Sequence, residues 1–237
     1  MQKTLLTLIL LLFLINTFGQ KTEIRVSLNS GLFSFSGRSA ESTSFINFDN
    51  FINSGYTNNP FGSNAGLGYG LSGDLKRVSK KDLVFGLDLG YEYLRSKILI
   101  NEIVFYPGAP NIHSASGKTF LNYNFINLYP YIGHRFNSKK FTFDIIAGFD
   151  VGYCLNTSER GNATDSNGIK YKASLDKKRI NADIRPRVQF SVDYNKVGAY
   201  VGYSYGLKNY ASGYFDGTED GECYARLMRF GLTYRIK

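Results

Sequence analysis

The sequence predicts an all-β fold, namely an eight-stranded antiparallel transmembrane β-barrel of up-and-down meander topology that follows a cleaved signal peptide. Three observations support this prediction. Apolar residues recur at every second position in eight stretches, most clearly over residues 141–153, and a period of two places such residues on one face of a strand. Long polar connectors alternate with very short turns, as in outer-membrane barrels. An apolar segment of signal-peptide length opens the chain.

Residues 1–19 have the features of a signal peptide. Lys3 precedes an apolar run that is shorter than the roughly 20 residues a membrane-spanning helix needs. The small residues Thr17 and Gly19 fit a cleavage site, and an uncleaved anchor helix is the alternative. Because a closed sheet cannot be divided, residues 20–237 are expected to form one outer-membrane β-barrel domain.

The eight predicted strands follow the apolar alternation along the chain. They cover residues 24–36, 65–78, 83–94, 119–136, 141–155, 181–194, 197–208 and 222–236. The long polar loops between them are residues 37–64, 96–118, 156–180 and 209–221, and the short turns are residues 79–82, 137–140 and 195–196. Since outer-membrane barrels have short periplasmic turns and longer extracellular loops, we expect the four long loops to be extracellular and both termini periplasmic.

The fourth predicted strand changes its pattern halfway. Apolar residues first occupy odd positions, which would turn Leu121, Tyr123 and Phe125 outward, and then occupy even positions. A change of parity within one strand indicates a β-bulge. In the second half of the strand, Tyr129 is expected to lie opposite Gly148 inside the barrel.

Charged residues alternate with the apolar ones and are expected to face the barrel interior. An Arg or Lys that faces lipid at the bilayer midplane costs roughly 2–4 kcal/mol. The predicted interior polar network consists of Asp88, Glu92, Asp144, Asp150, Asp183, Arg185, Arg187, Asp193, Lys208, Arg229 and Arg235.

The two-residue turn 195–196 sets a register within this network. Such a turn pairs Tyr194 with Val197. Counting back along the two strands then places Arg187 opposite Ser204 and forms an ion pair between Asp183 and Lys208 at the extracellular mouth.

The composition and net charge of the chain limit the classes of partner that it is expected to bind. The chain has 28 Lys and Arg against 19 Asp and Glu, a net charge of +9, and its basic residues are scattered rather than striped. An exported basic chain meets anionic outer-membrane lipids and lipopolysaccharide phosphates, so we expect no nucleic-acid partner. The biogenesis of an outer-membrane barrel would require periplasmic chaperones and the barrel-assembly machinery. The long loops are compatible with an envelope protein as a further partner. No cofactor, metal site or catalytic residue is predicted.

The two cysteines, Cys154 and Cys223, lie near the predicted extracellular rim, three strands apart. A disulfide requires Cα atoms within about 7 Å of each other. The sequence leaves open whether the two thiols are bridged or are free and buried.

Several segments resemble a known family. Residues 126–136 (INLYPYIGHRF), 147–153 (AGFDVGY) and 203–209 (YSYGLKN) are similar to the PorT-like outer-membrane β-barrel domain family, often labelled porin family protein, over essentially the whole mature chain. The resemblance implies an outer-membrane location. It implies no assigned activity for most members, although PorT itself belongs to a protein secretion system.

The expected function is that of a non-enzymatic outer-membrane barrel that presents loops for envelope structure, adhesion or partner docking. One alternative is a transport or protein-secretion component, although eight strands leave an interior that side chains just fill. The second alternative is a lipid-modifying enzyme, for which His113 beside Ser114 and Ser116 would have to supply a base and a nucleophile.

Overall fold

The structure of this protein, a computed structural model, describes residues 21–106, 111–177, 180–212 and 221–237. The predicted signal peptide and most of predicted loop 209–221 lie outside these residues. In the described part of the chain all regular structure is β-strand, which confirms the all-β prediction. No helix among these residues is long and apolar enough to cross a membrane.

Eleven strands follow one another in the described residues. They are β1 (Lys21–Ser36), β2 (Thr43–Asp49), β3 (Ser54–Thr57), β4 (Asn64–Val78), β5 (Leu83–Tyr106), β6 (Asn111–Asn137), β7 (Phe141–Asp165), β8 (Lys170–Asp176), β9 (Ala182–Tyr194), β10 (Val197–Tyr205) and β11 (Tyr224–Arg235).

Eight of these strands pair into one closed antiparallel ring, here called the main ring. Its order is β1, β4, β5, β6, β7, β9, β10, β11 and back to β1. Every member has two hydrogen-bonded neighbours, so the ring has no open edge. Tyr194 pairs with Val197 and Arg187 with Ser204, as the sequence predicts, and Asn195 supplies the left-handed backbone (φ 53°) of the connecting turn. We call the end with the turns 79–82, 138–140 and 195–196 the short-turn end, and the opposite end the long-loop end.

The number of strands differs from the predicted eight because three strands form inside predicted loops. β2 and β3 lie within residues 37–64 and β8 lies within residues 156–180, while β5 and β6 extend deep into residues 96–118. β2 pairs in parallel with β5, β3 in parallel with β8, and antiparallel pairs join β2 to β3 and β8 to β7. Together with the outer parts of β5, β6 and β7 they close a second ring beyond the long-loop end. A simple meander has no such parallel pairs, so this part of the topology prediction is wrong.

The second ring forms because its strands share an apolar interior. Its buried residues are Ile46, Phe48, Ile98, Ile100, Ile103, Ala163, Tyr171 and Ala173. On β2, β7 and β8 the apolar runs that carry these residues are too short to stand out among the Asn, Ser and Lys of the loops. Their strands are stabilised by packing against one another across the ring.

For the fourth predicted strand, the parity predicted for the first half is wrong, whereas the parity predicted for the second half, with even residues outward, is confirmed. Odd residues of β6 face the interior along its whole length in the main ring, and Leu121, Tyr123 and Phe125 are buried. An irregularity does occur here, because Asn124 pairs with Asn156 and Phe125 with Cys154, which leaves an additional residue on β7. Tyr131, and not Tyr129, pairs with Gly148.

The outward face of the main ring is an exposed apolar belt. Examples are Leu28 and Leu232, whose side chains are 68% and 64% exposed. The outward charged residues that border this belt are Arg77 near the short-turn end, and Arg95 and Arg226 near the long-loop end.

Candidate functional site

The interior of the main ring holds two groups of buried ion pairs. The upper ion cluster, in the half nearer the long-loop end, consists of Glu92, Asp150, Asp183, Arg185 and Arg229, each at most 6% exposed. Arg229 donates from Nε to Glu92 at 2.5 Å and also contacts Asp150. Arg185 Nη2 lies 3.2 Å from Asp150 Oδ2. Both arginines are thus paired with carboxylates away from water, as buried charges must be.

The predicted pair between Asp183 and Lys208 is not formed. β10 ends at Tyr205, and Lys208 lies beyond it with an exposed side chain. Asp183 instead accepts a hydrogen bond from the hydroxyl of Tyr210 at 2.7 Å. The predicted pair required β10 to continue as far as Lys208. Instead, the chain leaves the wall of the main ring after β10 and places the Tyr210 ring over the interior of the main ring.

The lower ion cluster lies at the short-turn end. It consists of Glu23, Arg25, Lys76, Arg135, Asp144, Asp193 and Arg235. Asp144 accepts hydrogen bonds from Lys76 Nζ at 2.8 Å and from Arg135 Nε at 2.7 Å, and Asp193 contacts Arg25 Nη1 at 2.8 Å. Of these seven residues, only Asp144, Asp193 and Arg235 are predicted interior residues. The other four members occupy inward-facing positions of their strands. The alternation of side chains between the two faces of a strand could therefore have identified them.

Two tyrosines and their partners fill the space between the two ion clusters. Tyr131 donates its hydroxyl to Asp74 at 2.7 Å, and the Arg187 guanidinium stacks over the Tyr129 ring at 4.2 Å. Asp88 is half-buried and accepts a hydrogen bond from Ser72 at 3.0 Å. The cavity that remains here has a volume of about 20 Å³, enough for about one water molecule.

An apolar plug closes the main ring above the upper ion cluster. Its buried members are Phe33, Phe35, Phe61, Leu94, Leu121, Tyr123, Phe125, Cys154, Tyr210, Ala211, Cys223, Ala225 and Leu227. Phe35 makes edge-to-face contacts with Phe61 and Tyr210 at ring-centroid distances of 5.4 and 5.0 Å. Cys154 and Cys223 both belong to the plug, and no disulfide joins them. Two of the loops therefore contribute side chains that seal the interior.

The outer end of the second ring, here called the tip, presents apolar side chains to solvent. Phe51 and Ile52, in the turn between β2 and β3, are 82% and 71% exposed. Asp49 Oδ1 accepts the backbone N–H groups of Phe51 (2.8 Å) and Ile52 (3.4 Å), and Asn53 has a left-handed backbone (φ 49°). These contacts fix the turn, so that both side chains are held outward.

The residues of the enzymatic alternative lie on opposite faces of β6. His113 is half-buried inside the second ring, where its Nδ1 lies 3.6 Å from Asp165 Oδ2 and its ring packs against Phe105. Ser114 and Ser116 are exposed on the outer face. Among the described residues no group of three or more His, Cys, Asp or Glu side chains is placed to hold a metal ion.

No protein-family model and no curated protein matches this chain, so membership of the PorT-like family stays an expectation. At low sequence identity the chain is similar to solved structures of outer-membrane proteins, three of which follow. The attachment invasion locus protein Ail of Yersinia pestis, in complex with the heparin analogue sucrose octasulfate, is 9% identical with a TM-score of 0.34, covering 93% of this chain and 100% of that one. Neisserial surface protein A, from Neisseria, is 10% identical (TM-score 0.37; coverage 90% and 98%). The outer membrane protease OmpT of Escherichia coli is also 10% identical (TM-score 0.32; coverage 93% and 98%).

Proposed function

We propose that this chain is an integral protein of the bacterial outer membrane, in which the main ring is an eight-stranded transmembrane β-barrel. The apolar belt supports this proposal. Arg77 pairs with Phe85, and the next outward charge on β5 is Arg95, ten residue steps away. At about 3.3 Å per residue and a strand tilt of about 40°, this interval spans roughly 25 Å, the height of the apolar band of outer-membrane barrels.

The proposed orientation follows from the connectors. The short-turn end, with both termini of the mature chain, faces the periplasm, and the second ring projects from the cell surface. The barrel contacts outer-membrane lipids and lipopolysaccharide, and it requires periplasmic chaperones and the barrel-assembly machinery during biogenesis.

The function that the geometry supports best is non-enzymatic presentation of a rigid docking platform at the cell surface. One observation carries this proposal: the second ring has its own apolar core and holds Phe51 and Ile52 outward at its tip. An exposed apolar patch on a stable protein is typical of an interaction site. We therefore propose that a protein partner in the envelope or on another cell binds the tip.

Photocrosslinking in living cells tests this docking function. We expect a photoreactive phenylalanine derivative at position 51 to give a discrete crosslinked product, identified by pull-down. The same derivative at position 175, on the exposed side of β8, is the matched control. A partner captured equally from both positions, or none from position 51, would contradict the docking proposal.

The membrane location has a separate test. Outer-membrane fractions should contain the processed protein, and its extraction should require detergent. A chain that stays soluble after signal removal, without detergent, would exclude the barrel proposal itself.

A further inference from the structure

We propose that the mouth of the main ring at its short-turn end is a binding site for a small, multiply charged anion. The site is a concave pocket with a volume of about 340 Å³, within the range of small-molecule sites. It goes beyond the docking function, because it lies at the opposite end of the molecule from the tip. That this pocket opens to the periplasm and not to the cell exterior rests on the orientation proposed above.

The pocket carries more positive than negative charge. Five cationic side chains line it against two carboxylates, Asp82 and Asp193. The cations are Lys21, Arg135, Lys139, Lys140 and Arg235. Asp193 is already paired with Arg25, so it neutralises little of this charge.

The floor of the pocket is also short of negative charge. The carboxylate of Glu23 contacts four cations at once, with nitrogen–oxygen distances between 2.5 and 3.2 Å. These cations are Lys21, Arg25, Arg135 and Arg235. A single carboxylate cannot neutralise four cations. Arg25 and Arg135 each have a second carboxylate partner, Asp193 and Asp144, but Asp144 is shared with Lys76, so cations still outnumber carboxylates. The electrostatic potential at the mouth is therefore positive, and the surrounding low-dielectric wall strengthens it.

The geometry indicates what kind of anion fits. Lys139 and Lys140 lie exposed in the turn at the rim, where their ammonium groups can reach inward over the pocket. Arg135 is fixed at the floor by two carboxylates, and Arg235 is held by Glu23 and the carbonyl oxygen of Asn195. An anion with two or more phosphate or carboxylate groups would contact the rim and the floor together. The pocket lies on the axis of the ring and not on its lipid-facing wall, so the ligand is a periplasmic solute and not a lipid of the surrounding leaflet.

Titration calorimetry on the purified full-length protein in detergent, at low ionic strength, tests this site. We use inorganic pyrophosphate and citrate as probes, so that the two titrations distinguish phosphate from carboxylate recognition. We expect saturable 1:1 binding of at least one probe, and we expect Lys139→Gln/Lys140→Gln to weaken it about tenfold or more.

The neighbouring turn supplies a matched control. Lys80 and Lys81 are also exposed at the short-turn end but do not line the pocket. Lys80→Gln/Lys81→Gln removes the same charge from the same end and should change the affinity less than twofold. Equal losses in the two double variants would show a diffuse charge effect and overturn the site, as would absence of saturable binding of either probe. None of these outcomes depends on the tip, so the docking proposal can fail or succeed independently.

Discussion

At the scale of single residues, each buried charge inside the main ring depends on an oppositely charged partner for its stability. In the upper ion cluster, Arg229 contacts both Glu92 and Asp150, and Arg185 contacts the same oxygen of Asp150. No member has access to bulk water, so each would be strongly destabilising alone. The cluster therefore constrains the identity of its residues more tightly than an apolar core of the same volume would.

Replacing one member of the upper ion cluster tests this dependence. Arg229→Met leaves Glu92 and Asp150 with too few cations and should lower the free energy of unfolding by about 3–5 kcal/mol. In the double variant Glu92→Met/Arg229→Met the unpaired Glu92 charge is gone, so the loss should be clearly smaller than for Arg229→Met. Urea denaturation in detergent measures both. A double variant less stable than the single one would contradict this account.

The packing around Tyr131 leaves no space for a side chain at Gly86. A Cβ added at Gly86 would lie 2.7 Å from the Leu75 carbonyl oxygen and would also meet the Tyr131 hydroxyl. Gly86→Ala should therefore destabilise the protein by about 1–3 kcal/mol through overpacking. At Gly73 the added Cβ would meet nothing within 4 Å, so Gly73→Ala is the matched control. Equal stability of the two variants in the same denaturation experiment would contradict the predicted difference.

At the scale of elements, the hairpin of β7 and β8 is held by one carboxylate in the second ring. Asp165 Oδ1 accepts the backbone N–H groups of Asn167 and Ile169, each at 2.9 Å, and Oδ2 lies near His113 Nδ1 and the Tyr171 hydroxyl. Desolvation raises the pKa of Asp165, but the N–H groups of Ile169 and Asn167 and the His113 side chain outweigh it, so the pKa lies below its usual value.

This lowered pKa predicts an acid-dependent hairpin. A carboxyl group whose pKa is lower in the folded state contributes stability above its unfolded pKa, about 3.9 for Asp, and loses it as the pH falls through the folded value. Hydrogen exchange of the β8 amides, corrected for intrinsic rates, should accelerate below about pH 4. Asp165→Asn keeps an acceptor for the turn but not the charge, so its protection should be lower at neutral pH and should change less with acid. An unchanged acid response in this variant would exclude Asp165 as the cause.

At the scale of the whole molecule, the two rings form a closed column. The interior passes from the lower ion cluster, through the tyrosines and the upper ion cluster, to the apolar plug and the core of the second ring. Among the described residues, two cavities that lie away from the mouth of the main ring have volumes of only about 20 and 30 Å³. Water-sized voids of this kind cannot connect into a path for hydrated solutes.

The closed column predicts a barrel that does not conduct. Purified protein inserted into planar lipid bilayers should give no steady ion current above the bare bilayer, because side chains fill the lumen of an eight-stranded barrel. A porin of known conductance serves as the insertion control. Reproducible unitary currents from the wild-type chain would overturn the proposed closed interior and favour the transport alternative.

Local sequence patterns were enough to predict much of the wall of the main ring. The period of two identified its strands and inward positions such as Asp150 and Arg185, and the two-residue turn after Tyr194 set the register of β9 and β10. These features depend on neighbours in sequence or on a single turn, so they can be inferred without distant contacts. The end of a strand is different: β10 stops before Lys208 because the Tyr210 ring packs into the plug, a contact that no local pattern encodes.

The sequence by itself determined that the chain is all-β and that charged and apolar residues take opposite faces, because alternation is a property of the strand backbone. Only the tertiary structure decided which apolar residues face inward. Leu121, Tyr123 and Phe125 look outward-facing when apolar means lipid, yet they lie inside, because the interior itself turns apolar near the long-loop end. The second ring is likewise a tertiary result, since β2, β3 and β8 are stabilised as strands by a shared core that forms only when distant segments meet.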